Sequence, residues 1–163
     1  MLDQDAFREF REGLGLLRDG DSGAAIGLLQ HAFKRDPENS YYMSYYGLSL
    51  GLAEGMWAEA ERLCHTALCR GRRQAQLYLN LAEVYELTGR RQAAADTLAR
   101  GLHYLPHDTR LQMHFGRLTV RRPAVLPFLE RTHFLNRQLG ILRSRLIHHV
   151  PRRKWIAARE SHA

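Results

Sequence analysis

An all-α chain of stacked helix hairpins is the fold class this sequence predicts, and three observations predict it. Apolar residues recur at three- and four-residue steps through one short segment after another, so each segment carries a stripe to bury. Glycines at Gly20, Gly55 and Gly89 punctuate those segments at nearly equal intervals. Small residues then recur in register with the glycines, marking places where helix axes approach closely.

Taken in order, the first helix is expected over Gln4 to Arg18, with Phe7, Phe10, Leu14 and Leu17 on its stripe and Asp3 or Asp5 available as N-cap. Gly20-Asp21 breaks it. A second helix, Gly23 to Arg35, presents Ala25, Ile26, Leu29, Ala32 and Phe33 and stops at Asp36-Pro37, because a residue before proline is pushed out of the helical region. The third spans Ser40 to Ala53 and the fourth Trp57 to Cys69. Ala75 to Asp108 holds the fifth and sixth, joined at Thr88-Gly89 and closed by Pro106, with Leu79, Leu81, Ala82, Tyr85, Ala94, Leu98, Gly101, Leu102 and Leu105 as their stripes.

A seventh helix, Thr109 to Val120, has no second member, since Arg121-Arg122-Pro123 and Pro127 interrupt the pattern. A further stripe, Phe134, Leu135, Leu139, Leu142, Leu146 and Ile147, begins near Thr132 and is placed to act as a C-terminal capping helix over the last open face of the array. The expected organisation is therefore three hairpins plus an unpaired fourth helix over 1–120, a capping segment over 121–150, and a basic, flexible tail over 151–163.

The register is tight. Gly20, Gly55 and Gly89 step by 35 and then 34, as do Ala25, Ala60 and Ala94; Leu29, Cys64 and Leu98; and Ala32, Ala67 and Gly101. The first-helix series Gly13, Gly47, Ala82 and Gly116 instead steps by 34, 35 and 34. One extra residue therefore lies between Gly47 and Gly55, where the helix is expected to run longer or to bulge.

With these residues the sequence resembles the tetratricopeptide repeat family, whose 34-residue period and small-residue places it matches. Tyr78, Leu81, Ala82, Tyr85, Ala94, Leu98 and Pro106 occupy the signature places of the third copy, and Met43, Tyr46, Gly47, Leu50, Ala60 and Cys64 those of the second. Glu9 and Glu12 stand at usually apolar places of the first copy, and Arg72 where the second would close with proline. The resemblance covers roughly residues 6 to 119 and implies an α-solenoid, a right-handed superhelix of helix hairpins with a concave groove lined by the first helix of each copy. A narrower resemblance is to the type III secretion translocator chaperones, small three-repeat proteins in which a dimerisation segment precedes the repeats; here the extra sequence follows them.

By that geometry the groove would present Phe7, Phe10, Arg11 and Leu14, then Tyr41, Ser44, Tyr45 and Leu48, then Gln76, Leu79, Asn80, Glu83 and Glu86, and finally Arg110, Met113, His114 and Arg117. Phe and Tyr offer large contact area at low entropic cost, which suits a peptide anchor. The same aromatics also suit plain packing between helices. Some family members clamp a terminal carboxylate with paired Lys and Asn; of such a set this chain has only Asn80, with Glu83 beside it.

Composition narrows the remaining classes. The chain has 163 residues, 45% hydrophobic and 25% charged, which is ordinary for a globular domain. Its acidic, mixed N-terminus does not read as a secretory signal, so a cytoplasmic location is expected. The formal charge is +7. Residues 1–109 hold 12 Lys and Arg against 15 Asp and Glu, a net of −3, whereas residues 110–163 hold 12 against 2, a net of +10. Arg143, Arg145, Arg152, Arg153, Lys154 and Arg159, with Trp155 among them, fit either phosphate on nucleic acid or an anionic membrane, or a solvated basic face.

Catalysis finds no foothold in the sequence. The nine histidines are scattered, with no HExxH and no Cys or Asp set at ligand spacing, so neither a metal nor a cofactor is expected. Cys64 and Cys69 lie five apart on one helix, which points them to different faces, and both read as small packing residues. The sequence as a whole reads as a non-enzymatic adaptor, scaffold or chaperone for a protein segment, with a second copy of the chain as a further candidate partner.

Overall fold

The structure is a computed structural model that describes residues 4–119. They form seven helices and, among the described residues, no strand: α1 Gln4–Asp19, α2 Ser22–Arg35, α3 Ser40–Glu54, α4 Trp57–Arg70, α5 Ala75–Leu87, α6 Arg91–Tyr104 and α7 Thr109–Thr119. None is long and apolar enough to cross a membrane.

Local chemistry sets the ends. The Asp21 carboxylate accepts from the Ala24 N–H at 2.9 Å, and the Asn39 side-chain Oδ1 accepts from the Tyr41 and Tyr42 N–H groups. Asp108 caps α7 in the same way, accepting from Arg110 and Leu111. Each satisfies donors that the first turn leaves unpaired. Within each hairpin the chain turns on a glycine in the left-handed region, Gly20 at φ 87°, Gly55 at φ 70° and Gly89 at φ 77°, where a Cβ is disfavoured.

The extra residue of the second copy sits in this turn. In the first copy Gly20 N–H donates to the Leu17 carbonyl and Asp21 N–H to the Leu16 carbonyl; Gly89 to Glu86 and Arg90 to Tyr85 repeat the pattern in the third. Those three- and five-residue spans make a Schellman ending. In the second copy Gly55 N–H reaches Gly51 and Met56 N–H reaches Leu50, spans of four and six. The last turn of α3 is thus one residue wider, and the helix continues to Glu54.

The second-helix positions expected to pack are at the centre: Ala25, Leu29, Ala32, Ala60, Cys64, Ala67, Ala94 and Leu98 are all 0% exposed. The small residues of the first helices face them. A Cβ on Gly13 would lie 2.8 Å from Leu29 Cγ, and one on Gly47 would lie 2.9 Å from Leu63 Cβ and 3.2 Å from the Ala60 carbonyl oxygen. At Gly116, the fourth place in the series, no atom of the described residues comes within 4 Å. Each buried leucine contributes about 1.5–3 kcal/mol relative to exposure, so this periodic core is what holds the hairpins together.

The cysteines divide. Cys64 is buried, whereas Cys69 is exposed and not the packing residue expected, because five residues along a helix place it on another face. Glu9, at its usually apolar place, stays half-buried beside Arg35 and His31, each 4.0 Å away.

First helices pack on one another in succession, α1 on α3, α3 on α5 and α5 on α7, while the second helices α2, α4 and α6 pack closely only against first helices. The layer of first helices is therefore the tighter one and lies on the inside of the curve. The guanidinium of Arg91, at the start of α6, donates to the Leu118 and Arg117 carbonyls and ties the end of α7 to the preceding hairpin. Asp3, the end of the seventh helix at Val120, the capping stripe from Thr132 to Ile147 and the basic tail lie outside the described residues.

Candidate functional site

The inner layer places the expected groove residues on consecutive helices, and Tyr45 of α3 is where they converge. Burial, then the charges of Glu83 and Tyr41, push its phenol up to about 12, with Arg110 and Arg18 opposing. Side chains of α1, α3, α5 and α7 therefore share one electrostatic neighbourhood. Beneath it the Phe10 ring packs on Tyr42 at 4.6 Å and edge-on to Tyr45 at 5.5 Å.

Exposure sorts the expected residues into rim and floor. Phe7 is 51% and Tyr41 38% exposed, with the Arg11 guanidinium 5.9 Å over the Phe7 ring. Leu14, Tyr45 and Leu79 are half-buried, and Met113 stands 65% exposed on α7. Phe10, Ser44, Leu48 and Asn80 are buried and do not present themselves to a partner. The physical reason is that α3 and α5 have neighbours on both sides, so only a narrow strip of each remains open, while Phe10 of α1 is covered by Tyr42 and Tyr45 of α3.

Asn80 is wholly engaged below the surface. Its Nδ2 donates to Ser44 Oγ at 3.0 Å, and its Oδ1 accepts from Gln76 Nε2 at 2.8 Å. Cys64 Sγ donates to the Ser44 carbonyl at 3.3 Å, and burial pushes that thiol up to about 12. A polar seam thus runs from α4 through α3 to α5, and Arg110 Nη1 extends it from α7 to Gln76 Oε1 at 3.4 Å. Removing one partner of such a seam strands a desolvated group.

The α5–α7 wall is charged and internally paired. Arg117 Nη2 donates to both Glu86 oxygens, at 3.1 and 3.2 Å, and lies 3.3 Å from His114 Nδ1. Arg110 bonds Asp108, whose carboxyl that contact holds below the usual carboxylate range. Among the described residues no three His, Cys, Asp or Glu are grouped to hold a metal. Arg91 and the Asp108 cap were not singled out by sequence reasoning; an Asp three residues before the buried Leu111 is the signal that marks the latter. The basic residues Arg143, Arg145, Arg152, Arg153 and Lys154 lie outside the described residues.

Against known proteins, the tetratricopeptide repeat profile matches residues 51–113. No curated protein matches the chain. Among solved structures, the first TPR of Spaghetti (RPAP3), bound to the HSP90 peptide SRMEEVD, aligns with TM-score 0.59 at 17% identity, covering 71% of this chain and 94% of that one. The second TPR domain of human RPAP3, in complex with the HSP70 peptide SGPTIEEVD, gives 0.58 at 16% identity over 72% and 98%. The TPR2AB domain of yeast Sti1, in a pHSP90 complex, gives 0.60 at 18% over 71% and 45%. At these identities the likeness is one of fold.

Proposed function

Because the chain belongs to the tetratricopeptide-repeat family, we propose that it is a non-enzymatic adaptor that holds a segment of another protein in the concave groove of its first helices. The observation that carries this reading is the pair of exposed aromatics, Phe7 and Tyr41, at the mouth of a groove whose floor is already packed. The core does not use their outer area, and aromatic surface of this kind anchors partners. Spaghetti, human RPAP3 and Sti1 are bound to HSP90 or HSP70 peptides or partners in their solved structures, which supports the coarse role.

The partner's chemistry differs from theirs in this reading. The two peptides named end in Glu-Glu-Val-Asp, whereas here Asn80 is buried and Glu83 and Glu86 line the α5 strip. Arg110 and Arg117 are already paired with Asp108 and Glu86. The segment that fits is one that offers apolar side chains to Phe7 and Tyr41, not a cluster of carboxylates. Whether the adaptor serves as scaffold or as chaperone follows from that segment. The division into repeats to about residue 120, a capping segment over 121–150 and a basic tail over 151–163 is part of the proposal, as is a cytoplasmic location.

Photo-crosslinking tests it. A benzophenone side chain at position 41 should trap a discrete partner, while the same group at the exposed Ala99 on α6 should not. Equal trapping from both positions contradicts a groove site. The net of +10 over residues 110–163 favours a second reading, attachment to an anionic polymer or membrane surface through Arg143, Arg145, Arg152, Arg153 and Lys154. Deleting Pro151 to Ala163 abolishes binding under that reading and spares it under the first.

A further inference from the structure

On the outer side of the array α2 and α4 leave a crevice between them of about 350 Å³. Tyr46 and Leu50 of α3 form its floor, Ile26 and Gly27 of α2 one wall, and Glu54 and Glu59 its rim. Gly27 has no neighbour within 4 Å of where a Cβ would stand. Gln30 Nε2 donates to the Tyr46 hydroxyl at 3.0 Å, and Phe33 stacks on that ring at 5.5 Å, so the floor is fixed.

The corresponding place in the next repeat, where α4 and α6 both pack on α5, already seats a cation. There Arg90 lays its guanidinium 4.5 Å over the Tyr85 ring and pairs with Glu61 of α4. Arg90 follows the left-handed Gly89 just as Met56 follows the left-handed Gly55. The α2–α4 crevice therefore has methionine at the position from which the next repeat supplies its own arginine, and Met56 is 47% exposed. The aromatic and the acids come from different positions in the two copies, Tyr46 with Glu54 and Glu59 in one, Tyr85 with Glu61 in the other. Leu50 and Ile26 stand where the next repeat has Tyr85 and Glu61, yet a held tyrosine ring and carboxylates again line one space, and that pairing favours a planar cation. Glu59 is bonded to Arg62, whereas Glu54 makes no ion pair among the described residues.

We propose that the α2–α4 crevice is a second docking site, on the face opposite the groove, for an arginine side chain carried by a segment of a partner protein. Charge complementarity at the rim, from Glu54 and Glu59, selects the cation, and Arg90 on Tyr85 is the chemical precedent within this chain. The proposal does not rest on the groove reading.

Methyl NMR on the full chain, titrated with acetyl-Ala-Arg-Arg-Ala-amide and with its uncharged citrulline counterpart, tests it. The arginine peptide should shift the Ile26 and Leu50 methyl signals saturably, and the citrulline peptide should not. Met56→Arg, which lets the chain fill its own crevice, should weaken binding by about tenfold or more, and Glu54→Gln by roughly threefold to tenfold. Glu54 is exposed, so that variant remains informative if Met56→Arg disturbs the fold. Phe7→Ala should leave the titration unchanged. No saturable shift at Ile26, equal shifts with citrulline, or undiminished binding in both crevice variants overturns the proposal.

Discussion

Replacing Gly47 by alanine tests the register of the repeats at one atom. In a free helix the change favours the helical state by about 0.8–1.0 kcal/mol. In this protein the new methyl group would stand 2.9 Å from Leu63 Cβ, 3.2 Å from the Ala60 carbonyl oxygen and 3.3 Å from Cys64 Sγ. A Cβ and a backbone carbonyl cannot rotate aside, so α3 and α4 must separate. Overpacking of that kind costs about 1–3 kcal/mol, which offsets the propensity gain or exceeds it, and the net expectation is a loss of up to roughly 2 kcal/mol, a fall of up to about 8 °C in melting temperature. Gly15→Ala is the matched control, because nothing lies within 4 Å of its would-be Cβ; it should raise the melting temperature. The assay is thermal and urea denaturation followed by circular dichroism. A Gly47→Ala protein at least as stable as Gly15→Ala would refute the close approach, and with it the alignment of the second copy.

Three more outcomes follow from the structure. Arg91→Ala removes the hydrogen bonds to the Arg117 and Leu118 carbonyls and should cost about 1–2 kcal/mol, read as faster amide exchange in the last turn of α7 with α3 unaffected. In native protein one thiol, Cys69, should react with a disulfide reagent, and Cys64 only on unfolding. Stability should fall at alkaline pH. The folded thiol of Cys64 titrates at about 12 against 9.0 ordinarily, so its contribution is full below pH 9 and is lost as pH rises towards 12. Tyr45, raised from 10.0 to about 12, acts in the same direction from pH 10 upward. A urea midpoint that holds steady from neutral pH to about pH 11 contradicts both.

The helices were legible because their cause is local and repeated. Gly20, Gly55 and Gly89 mark the turns, Pro37 and Pro106 lie just beyond two helix ends, and the steps of Ala25, Ala60 and Ala94 carry the close crossings. Even the extra residue near Gly55 was visible, since a one-residue shift between two series has only one place to sit. The site was less legible. Helical phase puts Ser44, Leu48 and Asn80 on the same face as Tyr41 and Tyr45, but phase does not say how far a neighbouring helix encroaches. Asn80 is buried because Ser44 and Gln76 satisfy its amide, a pairing across 36 residues that no local rule announces. Cys69 departs from expectation for the converse reason: its type suggests burial, and its place on α4 forbids it. The Arg90–Tyr85 stack, which depends on a cation folding back over the preceding helix, has no sequence signature of its own.

Exposed aromatics in the concave groove are proposed to hold the partner, and the partner's affinity tests them directly. Once crosslinking has supplied a partner segment, its affinity for wild type, for Phe7→Ala/Tyr41→Ala and for the chain lacking residues 151–163 should be measured at low and high salt. Both aromatics are exposed, so the double variant should fold as wild type does. The aromatic variant should bind about tenfold or more weakly, deleting the tail should change little, and affinity should depend weakly on salt. Full affinity in the aromatic variant, together with steep salt dependence and loss on removing residues 151–163, would contradict a groove site.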